Sequence, residues 1–135
     1  MCRPGGKVGL ASWTPEGFIS NVFRTIGKHV PPPAGVKSPA LWGTEARLRE
    51  LFGDGIAHLQ ATKRTFTFRY RSAAHFLEIF RNYYGPTLKA FAALDAAGQA
   101  ALAADLTELL ERFNRGGADT LIAPSEYLEV VATRR

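Results

Sequence analysis

The chain opens on a turn, Arg3-Pro4-Gly5-Gly6, that runs directly into an apolar strand at residues 7–12. Strands at the edge of natural sheets carry charges, prolines or bulges that block pairing with further strands. Between Val8 and Ser12 this strand carries no charge and no proline. Its composition is that of a strand flanked on both sides, and no earlier residues supply a neighbour. The expectation is therefore an incomplete sheet, the back half of a larger one. Within the strand, Val8 and Leu10 share one face, and the small Gly9 and Ala11 share the other. Small residues in a strand permit close approach of another backbone.

At 135 residues the chain has room for one domain with a modest core. No apolar run approaches the roughly 20 residues needed to span a bilayer. The N-terminus lacks the basic, apolar, small-residue layout of a secretion signal. One cysteine, Cys2, makes neither an internal disulfide nor a metal cage. These features set the expectation of a cytoplasmic protein without a membrane span. The formal charge of +5 invites a nucleic-acid reading. Such binding needs basic residues gathered on one face. Here they are scattered from Lys28 to Arg135, and the densest stretch, Lys63 to Arg71, alternates with apolar residues as the solvated face of a strand would. No specific nucleic-acid partner is expected.

Further along, Thr14 reads as an N-cap with Pro15 at the first helical position. Phe18, Ile19, Val22, Phe23 and Ile26 follow at helical spacing, and Gly27 either ends the helix or weakens its last turn. Pro31-Pro32-Pro33 and Pro39 make a stiff, extended connector. Thr44 caps a short helix with Leu48, Leu51 and Phe52 inward and Gly53 at its end. Residues 62–71 are the clearest strand, with Phe66, Phe68 and Tyr70 alternating with Thr65, Thr67 and Arg69. Ser72 caps a helix that Gly85-Pro86 breaks. A helical stretch over 87–94 leads to Asp95, which caps a helix running to about Asn114, with Leu102, Leu106, Leu109, Leu110 and Phe113 as its stripe. Gly116-Gly117 closes it, and residues 126–133 form the last strand.

Read in order, these are strand, helix, proline loop, short helix, strand, helices and strand, led by Arg3-Pro4-Gly5-Gly6-Lys7. The arrangement resembles the C-terminal half of class I S-adenosylmethionine-dependent methyltransferases. Trp13-Thr14-Pro15-Glu16-Gly17, the proline loop and Leu41-Trp42-Gly43-Thr44 resemble a small-molecule branch related to the ubiquinone- and menaquinone-biosynthesis C-methyltransferases. The resemblance implies an α/β fold of truncated Rossmann-like type. Its three strands would be 7–12, 62–71 and 126–133, the last antiparallel in the middle, with several helices around them. Residues 1–135 would be a single domain, the C-terminal portion of a methyltransferase domain without the N-terminal cofactor-binding half.

In that family a glycine-rich loop after the first strand holds the cofactor. No Gly-x-Gly pattern stands in a strand-to-helix context here. The resemblance therefore implies that S-adenosylmethionine belongs to the complete fold and is not bound by this chain alone. No residue is assigned to the cofactor or to a metal, and no catalytic residue is identified. The implied function is the acceptor-side part of a methyltransferase acting on a small apolar or aromatic molecule, inactive in isolation. The alternative is a non-catalytic binding or assembly module that dimerises through its open sheet edge. The partners are then a small-molecule acceptor and either a second copy or a complementing N-terminal half.

Five residues are candidates for substrate contact. Trp13 lies past the carboxyl end of the first strand, the end that faces the ligand crevice in open α/β sheets; a core tryptophan is the other reading. Phe18 follows on the next helix. His29 borders the proline loop, where an imidazole suits proton transfer near neutral pH. Tyr83 and Tyr84 end an apolar stripe, as packing residues or as a lid over an apolar substrate. His29, His58 and His75 share no ligand spacing.

Overall fold

Glycine chemistry sets the entry to the sheet. Gly5 has φ of 75°, a left-handed conformation that favours glycine. That geometry lets its N–H donate to the Arg134 carbonyl at 3.0 Å while Gly6 N–H donates to the Arg3 carbonyl at 2.9 Å. The computed structural model describes residues 2–135. Their strands are β1 (Lys7–Trp13), β2 (Ile56–Tyr70) and β3 (Leu121–Arg134). Their α-helices are α1 (Phe18–His29), α2 (Glu45–Phe52), α3 (Ala73–Tyr83), α4 (Gly85–Ala92) and α5 (Ala96–Phe113). A 3₁₀ turn at Pro39–Gly43 precedes α2.

The fold is mixed α/β, with one three-stranded sheet in the order β1-β3-β2. β1 pairs antiparallel with β3 from Lys7↔Thr133 to Trp13↔Tyr127. β2 also runs antiparallel to β3. Arg135 N–H donates to the Gly55 carbonyl at 3.0 Å, and Lys63, eight residues on, reaches back to Glu126 at 3.0 Å. The last strand therefore lies in the middle, reversed against two neighbours that point the same way, as the sequence led us to expect.

The chain's contacts fall into two compact units. The first comprises residues up to Ser20, Lys37–Phe66 and Ser125–Arg135. Its core is Leu48, Leu59, Leu128 and Val130, with Leu10, Phe52, Ile56 and Ala61 packed against them. Phe18 and Ile19 are also fully buried there. The second comprises Asn21–Val36 and Thr67–Pro124. It buries Phe76 and Phe80 of α3, Phe91 of α4, the leucine stripe of α5, and Leu121 and Ala123 at the start of β3. Phe76 and Phe80 stack at 3.9 Å, and Tyr70 meets Phe76 edge-on at 5.0 Å.

Several expectations need correction. Thr14 does not cap α1, and Pro15 is not helical. Thr14 to Gly17 form a turn closed by Gly17 N–H donating to the Thr14 carbonyl at 3.1 Å, with Pro15 at the second position, which suits its fixed φ. The Thr14 hydroxyl donates instead to the Glu126 carbonyl at 3.3 Å. The first turn of α1 is served from far along the chain, by Ser125 Oγ accepting from Ile19 N–H at 3.2 Å. α1 does not stop at Gly27 but carries it in its last turn, which ends at His29, the second of the two readings of that glycine. Leu51 is 44 % exposed, because the eight-residue α2 buries only Leu48 and half of Phe52.

Both later strands begin sooner than 62 and 126. Ile56 and Leu59, the side chains that turn inward at the start of β2, are three residues apart, so no alternation announces it. In β3, Pro124 reads as a strand breaker. The register with β1 stops at Tyr127, so Pro124 lies beyond the β1 ladder and costs it no bond. The caps at Thr44, Ser72 and Asp95 all form, accepting from Arg47, His75 and Gly98 N–H groups respectively.

Candidate functional site

The carboxyl end of β1 gathers the most chemistry in the first unit. Trp13 is the last residue of the strand, and its register partner Tyr127 stands on the same face of the sheet. The two rings meet edge to face at 6.0 Å. Phe66 of β2 meets the Trp13 ring from another side at 6.4 Å and is itself 51 % exposed. Aromatic pairs prefer this edge-to-face geometry. On the opposite face, since successive strand side chains alternate, the Lys63 ammonium lies 3.0 Å from the Glu126 carboxylate.

Two glycines hold this end of the strand tight. A Cβ on Gly43 would meet the Trp13 carbonyl and lie 2.7 Å from Thr14 Cα. A Cβ on Gly17 would lie 2.8 Å from the Glu126 carbonyl. Thr14 is thereby sealed at 1 % exposure between the 3₁₀ turn and β3. The Glu126 carboxyl is held below its ordinary value of 4.5, chiefly by hydrogen bonding from Lys63. Partial burial opposes the shift and Thr14 adds to it. A carboxylate so stabilised is a hydrogen-bond acceptor and a weak base. The aromatic face can hold a flat apolar group against ring edges.

The five sequence candidates do not form one cluster. Trp13 stands in the aromatic group just described. Phe18 follows at the start of α1 and has no exposed surface. The other three belong to the second unit. His29, in the last turn of α1, has Nε2 at 2.7 Å from Asp105 Oδ2 of α5. Tyr84 is half-buried, tilted against Phe80 at 4.6 Å and stacked with Phe23 at 6.2 Å. Burial raises its phenol above the ordinary 10.0. Tyr83 is 79 % exposed and points its ring to solvent.

Sequence reasoning missed Lys63, Phe66, Glu126 and Tyr127 as parts of a site. Lys63 and Phe66 read as ordinary alternation on a strand. Only the antiparallel register, which sets residue 127 opposite residue 13, brings the last two to the end of β1. It also missed an open groove of about 510 Å3 in the second unit, where Arg81 of α3 lies over the Phe91 ring at 4.6 Å and donates to Gln99 Oε1 at 2.7 Å. Among the described residues, no group of three or more His, Cys, Asp or Glu side chains is placed to hold a metal ion. None of the described helices is long and apolar enough to cross a membrane.

No family model matches the chain. An uncharacterized protein of Mycobacterium tuberculosis is 35% identical to it over 137 residues, covering 100% of this chain and 49% of its own length. An uncharacterized protein of Mycobacterium bovis matches with the same values. A second uncharacterized protein of M. tuberculosis is 32% identical over 117 residues, covering 84% of this chain and 43% of itself. The chain spans about half the length of the curated relatives it matches.

Proposed function

We propose that the chain is the acceptor-side portion of a class I S-adenosylmethionine-dependent methyltransferase of small molecules. The observation that carries this reading is the sheet order β1-β3-β2, with the last strand reversed between two strands of common direction. The Pro4-Gly5-Gly6 turn ahead of β1, with Gly5 at φ 75°, agrees with it. So does a chain that aligns with half of longer relatives.

In this reading the cofactor contacts of the proposed enzyme come from elsewhere in it. The contribution of this chain is to place the acceptor. Trp13, Phe66 and Tyr127 bind an apolar or aromatic ring. Fixing one reactant in this way is where much of the rate of a bimolecular transfer is gained.

Calorimetric titration with S-adenosylmethionine tests the reading, applied in parallel to this chain and to the full-length M. tuberculosis relative that covers all of it. The relative is expected to bind one equivalent and this chain none. Failure of the full-length relative to bind overturns the proposal.

A further inference from the structure

The aromatic group at the end of β1 has a charge pair beside it on its own face of the sheet. Glu129 opposes Ala11 in the β1–β3 register, two positions along from the Trp13–Tyr127 pair. Side chains two apart on a strand share a face. Glu129 therefore stands on the face that carries Trp13 and Tyr127. From β2, Phe66 meets the Trp13 ring, and Arg64, two residues before it, reaches Glu129. Two rows thus cross one face of the first unit: Phe66, Tyr127 and Trp13, then Arg64, Glu129 and Ala11. The rows are about 7 Å apart by strand rise, the span of one aromatic ring and one substituent. Arg64 places both Nε and one Nη on the same oxygen, Glu129 Oε1, at 3.4 and 3.2 Å. Among the described residues, its other Nη and Glu129 Oε2 hold no bond. The two side chains are 55% and 45% exposed, so a ligand reaches both.

We infer that this face takes a flat aromatic molecule bearing a neutral group that both accepts and donates a hydrogen bond, a carboxamide for example, and that Arg64 and Glu129 select for that group. The ring lies against Trp13, Tyr127 and Phe66, where apolar burial and edge contacts hold it. Its substituent then reaches the second row. There an oxygen accepts from the unused Nη of Arg64, and an N–H or O–H donates to Glu129 Oε2. The pair carries no net charge, and that decides the charge of the ligand. A carboxylate is attracted by Arg64 and repelled by Glu129; an ammonium meets the reverse. In either case the two effects offset, and the loss of hydration of the ligand charge is left uncompensated. A neutral group loses less hydration and makes both bonds. An exposed ion pair of this kind contributes little to stability, so sharing its atoms with a ligand does not weaken the fold. The inference rests on the acceptor-side reading of this face and adds what the acceptor is; its test uses no cofactor.

Three probes that share one ring system test it: naphthamide, naphthoate and naphthylmethylammonium. NMR titration of the chain follows the assigned Trp13 indole N–H. Naphthamide is expected to shift it and to bind about tenfold more tightly than either charged probe, since each of those sets a like charge beside one member of the pair. Glu129→Gln leaves Arg64 unopposed and should turn the preference toward naphthoate. Arg64→Met leaves Glu129 unopposed and should turn it toward the ammonium. Both side chains are exposed, so the circular dichroism of the variants should be unchanged. A pair with a purely structural role would lose its link in both variants without changing which probe binds best. No shift at Trp13 with any probe, equal affinity for all three, or a preference that neither variant turns would each overturn the inference. Naphthamide binding by this chain, with no S-adenosylmethionine binding by the full-length relative, would remove methyl transfer and leave this site standing. The converse would remove this site alone.

Discussion

Glu126 is where a single residue reports most on the end of the sheet where β1 stops. Its carboxyl is held below 4.5 mainly by Lys63. A lowered carboxyl stabilises the fold above the unfolded value, and that stability is lost as pH falls through the folded value. The carboxyl resonance of Glu126 is therefore expected to titrate below 4.5. Lys63→Met should move the midpoint upward, and should also narrow the acid side of the stability profile. A midpoint unmoved by Lys63→Met would remove the ammonium as the cause. Gly43 is the steric counterpart. Gly43→Ala drives a methyl into the Trp13 carbonyl, and overpacking of this kind costs about 2 kcal/mol or more. Urea unfolding measures it; a loss below half that amount would show that the 3₁₀ turn moves aside freely.

Among the elements, the link from α5 to β3 rests on one side chain that the residue pattern did not single out. Asn114 follows the last turn of α5. Its Nδ2 donates to the Gly117 and Thr120 carbonyls at 2.7 and 2.8 Å. Its Oδ1 accepts from Gly116 and Ile122 N–H at 2.8 and 2.9 Å. All four bonds hold backbone groups, so the amide acts as a template for the Gly116-Gly117 turn, where Gly117 has φ of 83°. Asn114→Ala should cost about 2 to 3 kcal/mol, since each partly buried bond is worth about 1 kcal/mol net. Asn114→Asp keeps the two accepted bonds and loses the donated ones, so its chemical-denaturation midpoint should fall between wild type and Asn114→Ala. Equal loss in both variants would mean that only the donated bonds matter. In sequence, Asn114 was merely the place where a helix ran out.

For the molecule as a whole, the proposed function predicts a stability that depends on ligand. A ligand that binds the folded state stabilises it by mass action. S-adenosylmethionine should therefore raise the melting temperature of the full-length M. tuberculosis relative, whereas that of this chain should not move. An unmoved melting temperature in the relative would count against the methyltransferase reading.

The elements themselves were readable from local chemistry. Side-chain oxygens at Thr44, Ser72 and Asp95 announce three helix starts, because a cap acts within three residues of itself. The β1 strand and the leucine stripe of α5 follow from spacing alone. The candidate site was legible only at Trp13. Its neighbours Phe66 and Tyr127 come from strands 53 and 114 positions away, joined to it through antiparallel register. The start of α1 was misread for the same reason: the oxygen that serves its first turn belongs to Ser125, 106 residues on. Backbone preference is a property of neighbours along the chain. The meeting of side chains depends on which strands pair and in what register, and that emerges only when the whole sheet assembles.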